Sequence, residues 1–538
     1  MLGPFVCIYI IVKENGTIEK AGRKMSKFLR GTLILLAATF VTRILGFINR
    51  IVIARSIGEE GVGLYMMAYP TFILAVTLTQ MGLPVAISKS VAEAEARGDF
   101  RRIKKILVVS LGVTISLSLI FTPGLVLCAP FISKTLFTDV RTYYPLMAIA
   151  PIIPLIAVSS VLRGYFQGRQ NMKPSAISQV LEQAIRITLI AVLTRALLPY
   201  GVEFAAAGAM IASVLGELGS LLYLFTMFKM KKRFRVRKHF LKTIFSGGEI
   251  FKELMAVGIP TMGSRLIGSL SWFLEPIVVS HSLAIAGIAS ALATQQYGML
   301  TGFAMPLLLF PSFITISLST SLVPAISEAN AYKNHRLVEY QVQEALRFCL
   351  ITGGLAVIIL YLYADPLMQL MFGSNKGAVY IQLMAPFFLF QYYQGPLQAV
   401  LQALNLADAA MINSFIGSIV KLVVIFVLAS QPSFGIYGAA LGIVTGTMLV
   451  TLLHFVTAVK KLSLTIYARE YVHFFVVVAV VIVFSKLFGQ YFLSMESPII
   501  RFLAGASFTS ALYIICSGAA GLIKKRDLLK IPFVKRWV

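Results

Sequence analysis

Apolar runs of about 20 residues, bounded by charged or Gly/Pro-containing loops, recur from residue 31 to residue 523. A hydrocarbon core of about 30 Å needs about 20 helical residues per crossing, so the pattern predicts membrane-spanning helices. They fall near 31–54, 64–87, 103–127, 143–163, 176–198 and 205–228, then near 254–277, 298–324, 345–364, 379–401, 411–430 and 436–459, with two more near 471–493 and 501–523. The chain is expected to be an all-α polytopic membrane protein with about 14 transmembrane helices. Phe5 to Val12 is apolar but too short to span, and no small-residue cleavage site follows it. Residues 1–24 are expected to be a cytoplasmic tail, the alternative being an extension ahead of a start at Met25.

Of the 538 residues, 58% are hydrophobic and 13% charged, and mean hydropathy is +0.84, which excludes a water-soluble enzyme. The net charge of +26 would suggest nucleic acid in a soluble chain. Here about 35 of the 48 Lys and Arg lie in the tails and in the loops after every second helix, and about seven lie in the opposite loops. That asymmetry predicts both termini in the cytoplasm, with anionic lipids as partners of the basic loops and no role for nucleic acid. The densest basic cluster runs from Lys229 to Lys252. Cys7, Cys128, Cys349 and Cys516 are far apart and form no CxxC pair, so neither a disulfide framework nor a thiolate metal site is implied.

The two groups of six helices resemble each other. Arg43-Ile-Leu-Gly46 answers Arg265-Leu-Ile-Gly268, Ala86-Ile-Ser88 answers Ala325-Ile-Ser327, and Phe166-Gln-Gly168 answers Leu401-Gln-Ala403. In the same order Arg186 pairs with Lys421, Gly208 with Gly438, Gly216 with Gly446 and Lys231 with Lys461, all at offsets of roughly 220–240 residues. An even number of helices separates equivalents, so the halves are expected to be six-helix lobes related by a pseudo-two-fold axis along the membrane normal, around a central cavity. The expected organisation is a cytoplasmic tail over 1–30, an N-lobe over 31–228, a basic interlobe linker over 229–253, a C-lobe over 254–459, and two extra helices with a basic cytoplasmic tail over 460–538.

A charge at mid-bilayer costs about 3 kcal/mol and needs a pocket, a partner or water. Arg43, Arg50, Arg186, Arg265, Arg347 and Lys421 fall within predicted spans, against Glu182, Glu217 and Glu275. This excess of cations suits an anionic ligand. Gln179, Glu182, Gln183 and Arg186 share one helix face, where Glu182 and Arg186 also have the spacing of a structural ion pair. Arg43, Arg265, Arg186, Lys421, Gln179 and Glu182 are the candidates to line the cavity, whereas Arg50 has the alternative of snorkelling to headgroups. Glu275 and Glu217 are candidates for a coupling Na+ or H+, internal pairing being the alternative. Gln391, Gln394, Gln398 and Gln402 form a stripe that fits either water or interhelical hydrogen bonding. There is no GxxxxGK[ST] loop and no His spacing for a metal, so no cofactor beyond that ion is expected.

Thr42-Arg-Ile-Leu-Gly-Phe47, Gly58-Glu-Glu-Gly-Val-Gly-Leu-Tyr-Met66, Leu83-Pro-Val-Ala-Ile-Ser-Lys89, Ala92-Glu-Ala-Glu-Ala-Arg-Gly98, Val161-Leu-Arg-Gly-Tyr-Phe-Gln-Gly168 and Leu181-Glu-Gln-Ala-Ile-Arg186 resemble the stage V sporulation protein B group. That group belongs to the multidrug/oligosaccharidyl-lipid/polysaccharide (MATE-like) exporter superfamily, and the resemblance covers essentially residues 25–530. It implies a V-shaped fold and alternating access that carries a lipid-linked oligosaccharide from inner to outer leaflet. It also implies a role in spore cortex peptidoglycan synthesis. By resemblance to lipid II flippases, Arg43 matches a cavity arginine of the first helix, and Arg265 resembles one in the second lobe. The sequence departs from those flippases in carrying Asn49-Arg50 where they carry Arg-Asp.

The reading is a non-enzymatic flippase whose cationic cavity grips the pyrophosphate of an undecaprenyl-linked sugar, with cell-wall synthesis enzymes as further partners. The rivals are a cation-coupled multidrug exporter, which would favour an acidic cavity, a non-transporting scaffold for cell-wall enzymes, and a membrane-bound transferase.

Overall fold

The computed structural model describes residues 27–231, 247–462, 468–492 and 497–523; most of the Lys229 to Lys252 cluster and both basic tails lie outside them. Every regular element among the described residues is helical. In chain order these are α1 Lys27–Gln80, α2 Leu83–Ala96, α3 Phe100–Phe131, α4 Tyr143–Ile149, α5 Ile152–Gly168, α6 Met172–Leu197 and α7 Val202–Lys231. There follow α8 Gly248–Ile285, α9 Ser290–Gly298, α10 Met305–Leu309, α11 Ser312–Ala331, α12 His335–Leu362 and α13 Ala364–Phe372. The last are α14 Ala378–Met384, α15 Phe388–Ala403, α16 Ala407–Ala429, α17 Ile436–Leu462, α18 Ala468–Phe492 and α19 Pro498–Ala519.

Eleven of the described helical segments are long and apolar enough to cross a membrane, or twelve if a bent pair counts as one span. The expected fourteen differs from this count where backbone chemistry breaks or merges a run. The first two expected helices are continuous within α1 except at Gly58, whose φ of 69° and ψ of −173° suit only glycine. The expected helix at 64–87 ends at Gln80, because Met81 and Gly82 both turn left-handed and Gly82 lies against the Gly258 carbonyl of α8. Prolines interrupt three more. Pro151 separates α4 from α5, Pro311 separates α10 from α11, and Pro386 lies in the single turn between α14 and α15, each lacking the N–H that an uninterrupted helix needs.

The repeat is legible in the backbone. α4 and α5 break at Pro151, and α14 and α15 break at Pro386, the same distance along the two halves. After α2 the Gly98 and Asp99 amides bond back to Glu95 and Ala94; after α11 the Lys333 and Asn334 amides bond back to Asn330 and Ala329. The pair after α5 and α15 behaves likewise, Gln170 and Asn171 bonding to Gln167 and Phe166, and Asn405 and Leu406 to Gln402 and Leu401. All four are Schellman caps with one left-handed residue each. Asp99 and Asn334 then cap the next helix, accepting from the Arg102 and Leu337 amides at 2.9 and 3.1 Å. The Ala86-Ile-Ser88 and Ala325-Ile-Ser327 matches lie one helical turn out of step with these caps.

The chain forms two compact units. Among the described residues, one comprises those within 27–302 and 426–436, extending past the expected N-lobe; the other comprises those within 303–425 and 437–523. In the first, Leu83, Ile87, Val91, Ile106, Val161 and Tyr165 pack α2, α3 and α5 into a core. In the second, Leu322, Ile326, Val342, Leu397 and Leu401 do the same for α11, α12 and α15. Within the first unit α1 and α9 cross at Gly63 and Gly298, where a Cβ on Gly63 would collide with the Thr294 carbonyl. Gly63→Ala is therefore expected to lower the thermal unfolding midpoint of the purified protein, whereas Gly46→Ala, facing open space, leaves it within a degree or so.

Beside that crossing Arg141 donates to Glu60 at 2.6 Å and to Asp139 at 2.9 and 3.1 Å, while Thr294 donates to Asp139 at 2.7 Å. Burial would raise the Asp139 carboxyl, but the bonds from Arg141 and Thr294 outweigh it and hold the group below its ordinary 3.8. With the folded value the lower one, its stabilisation is complete above the ordinary value and lost as pH falls through the folded one. Thermal melts between about pH 6 and pH 3 are expected to show an acid-side loss that is smaller in Asp139→Asn.

Candidate functional site

The site forms where α1, α5 and α6 of the first unit meet. α6 presents polar residues at helical spacing to the other two, and small residues let its neighbour approach on the other side. A Cβ on Gly216 of α7 would stand 2.9 Å from the Glu182 carbonyl and 3.2 Å from Arg186 Cβ. In the second unit the same approach recurs between α16 and α17, where a Cβ on Gly446 would stand 2.6 Å from Lys421 Cβ. The glycine and cation pairs matched in the sequence are thus packing partners in both halves.

A pocket of about 310 Å³ is lined by Thr42 and Arg43 of α1, Arg163 of α5, and Gln179, Glu182 and Gln183 of α6. That volume sits at the small end of the range for ligand sites, about 300–1,000 Å³. Arg43 is exposed and has no ion-pair partner among the described residues. Arg163 Nη2 donates to Glu182 Oε2 at 3.3 Å, to Glu217 Oε1 and Oε2 at 3.3 and 3.4 Å, and to Ser220 Oγ at 2.9 Å. Glu182 also pairs with Arg186, one turn along α6. Glu217 is 1% exposed. Buried Arg163 Nε and Gln183 Oε1 have no hydrogen-bond partner. The Arg43 guanidinium therefore brings unused donors to the pocket wall, which suits an oxyanion, whereas the unpartnered Gln183 Oε1 is an acceptor and would have to face a donor instead.

Of the sequence candidates, Arg43, Gln179 and Glu182 line this pocket. Arg186 lies next to it, held by Glu182 against Gly216. Arg265 is exposed on α8 of the same unit, without an ion-pair partner among the described residues, and does not line the pocket. Lys421 belongs to the other unit, half-buried against Gly446. Glu217 is bonded to Arg163, and buried Glu275 shares a hydrogen bond with Tyr297. Arg50 donates to the Met66 sulfur at 3.0 Å, and Arg347 pairs with Glu344 at 3.7 Å. Arg163 was not singled out from the sequence, because the expected helix ended on it; the continuation through Tyr165-Phe-Gln-Gly168 was the available signal.

A family model described as "Polysaccharide biosynthesis protein" matches residues 28–330, more than half of the chain. The chain belongs to the polysaccharide biosynthesis protein family. A second model, MatE, matches residues 276–427 of this family member. The chain is 59% identical to Stage V sporulation protein B of Bacillus subtilis (strain 168) over 511 residues, covering 95% of this chain and 99% of that protein. It is 25% identical to lipid II flippase MurJ of the same organism over 532 residues, covering 93% and 96% of the two chains. Among solved structures, lipid II flippase MurJ in an inward closed conformation aligns with a TM-score of 0.69 at 17% identity, covering 92% of this chain and all of that one. An inward-facing multidrug resistance MATE family transporter of the MOP superfamily aligns at 0.62 and 17% identity, covering 80% and 98%. These likenesses establish the MATE-like, MurJ-like fold of this multi-pass membrane transporter family.

Proposed function

We propose that this member of the polysaccharide biosynthesis protein family is a flippase for a lipid-linked oligosaccharide. It receives the lipid's pyrophosphate at the Arg43–Arg163 pocket and passes it between leaflets by alternating access. The observation that carries this is a mid-helix arginine without an ion-pair partner, opening on a pocket that also holds Arg163 and two glutamine amides. Each good guanidinium–oxyanion contact is short, charge-assisted and directional, so the headgroup is gripped while the polyprenyl tail stays in lipid. The similarity to Stage V sporulation protein B and to a lipid II flippase supports an undecaprenyl-linked peptidoglycan precursor as the substrate, in spore cortex synthesis. Both termini then lie in the cytoplasm, and Arg265 serves the substrate from α8. A cationic drug finds one carboxylate in this wall against two guanidinium groups, which disfavours the drug-exporter reading.

The test is reconstitution of the full chain in liposomes carrying a lipid-linked disaccharide-peptide. Wild type is expected to transfer it between leaflets, and Arg43→Ala with Arg265→Ala to lower the rate by at least about tenfold, the worth of 1.4 kcal/mol of lost binding. Unchanged transfer by a folded double variant would refute the cationic site; no transfer by folded wild type would refute the substrate.

A further inference from the structure

One nitrogen, Arg163 Nη2, serves both Glu182 and Glu217. The two carboxylates come from different helices and converge on the same cation. Arg186 compensates Glu182 from the same helix, but no second ion pair reaches Glu217 among the described residues. Glu217 is all but sealed from solvent, and the groups facing it are Ser159 and Arg163 of α5, Glu182 and Arg186 of α6, and Ser220 of its own helix, with Tyr65 and Tyr69 of α1 close to Arg186. Arg163 also forms part of the pocket wall, so an anion in the pocket competes with the carboxylates for it.

The second half of the chain bears on whether these charges act together. By the spacing of the matched caps and of the Gly216/Gly446 pair, the positions of Arg163, Glu182 and Glu217 are taken by Gln398, Gly417 and Thr447. All three charges are gone at once, while the cation Lys421 still stands where Arg186 does in the first half. At Gly417 the space of a side chain is filled by Val450. Loss of the arginine with both carboxylates is what a single electrostatic unit requires, since a buried carboxylate without its cation is strongly unfavourable.

We propose that Arg163 is a clasp shared between the pocket anion and the Glu182–Glu217 pair, so that binding a diphosphate loads one proton onto that pair. The proposal rests on the anion-binding reading above. When a diphosphate draws the guanidinium toward the pocket, Glu182 keeps Arg186 and Glu217 is left uncompensated. A proton from water then binds one carboxylate oxygen of the pair, and no covalent bond in the ligand changes. Release of the anion returns Arg163 and expels the proton. The coupled ion is thereby a proton carried with the anion, at a site next to it.

Two measurements on the purified full-length protein test this. In the first, binding of inorganic pyrophosphate, and separately of undecaprenyl pyrophosphate in nanodiscs, is titrated from mildly acidic to mildly alkaline pH. After correction for the anion's own protonation, affinity is expected to rise by up to about tenfold for each pH unit lowered, the signature of one proton taken up by the protein, and Glu217→Gln is expected to remove that slope. A slope for the lipid-borne and the inorganic anion alike shows that the diphosphate suffices; a slope for the lipid form alone shows that the clasp answers only to the membrane-borne headgroup. The second measurement needs no ligand: Arg163→Gln removes the clasp outright, and near neutral pH its infrared spectrum is expected to gain protonated-carboxyl intensity over wild type, a gain lost again when Glu217→Gln is added. Binding that, so corrected, is flat with pH in wild type, or a folded Arg163→Gln protein without the gain in carboxyl intensity, would overturn the clasp while leaving the anion site standing. No binding of either anion at any pH would overturn the anion site and the exchange with it.

Discussion

Arg163→Met is expected to cost the folded protein about 3–5 kcal/mol, the loss measured when one partner of a buried ion cluster is removed. The side chain is 20% exposed, Glu182 13% and Glu217 2%, so solvent screens the remaining carboxylates poorly. Methionine keeps most of the volume, which confines the loss to charge and hydrogen bonding. Adding Glu217→Gln is expected to recover more than half of it, because an amide can remain buried beside Ser220 without a counter-charge. Thermal unfolding of the two variants in one detergent measures both effects. Equal instability of the single and double variants would show that Arg163 acts through packing instead.

The second large effect is steric. Gly216→Leu and Gly446→Leu are each expected to abolish recovery of folded protein. The added side chain enters backbone and Cβ atoms of α6 in one case and Lys421 of α16 in the other. Overpacking in a well-filled interior costs about 1–3 kcal/mol where neighbours can yield, and more where the obstacle is another helix's main chain. Small residues at such crossings are the means by which membrane helices approach, since lipid offers no hydrophobic drive to hold them together. Size-exclusion profiles of the solubilised variants decide the outcome. Gly124→Leu, with open space around it, serves as the control that folds normally.

Hydropathy made most of the helices legible, because a bilayer imposes one length scale on every crossing. It failed where the main chain turns inside an apolar run. Nothing in the composition of 379–401 signals the turn at Ala385–Phe387, and Pro386 alone would fit a mild kink as well as a break. The site was legible one helix at a time: Gln179, Glu182 and Arg186 share a face by spacing, and Arg43 stood out as a cation in an apolar helix. The joining of Glu182 to Glu217 through Arg163 depends on three helices meeting, and residue spacing within one helix carries no record of that. Arg163 sat at the edge of its expected span, where a basic residue ordinarily reaches for headgroups.

The matched caps and proline breaks have a consequence for how mutational data on this chain can be read. Backbone findings transfer between halves: a substitution tolerated at Gln170 informs Asn405, and one that disrupts the Pro151 break forecasts the result at Pro386. Charge findings do not transfer, because Arg163 maps to Gln398 and Glu182 to Gly417. A scan of one half is therefore a map of the other's scaffold and a poor guide to its chemistry.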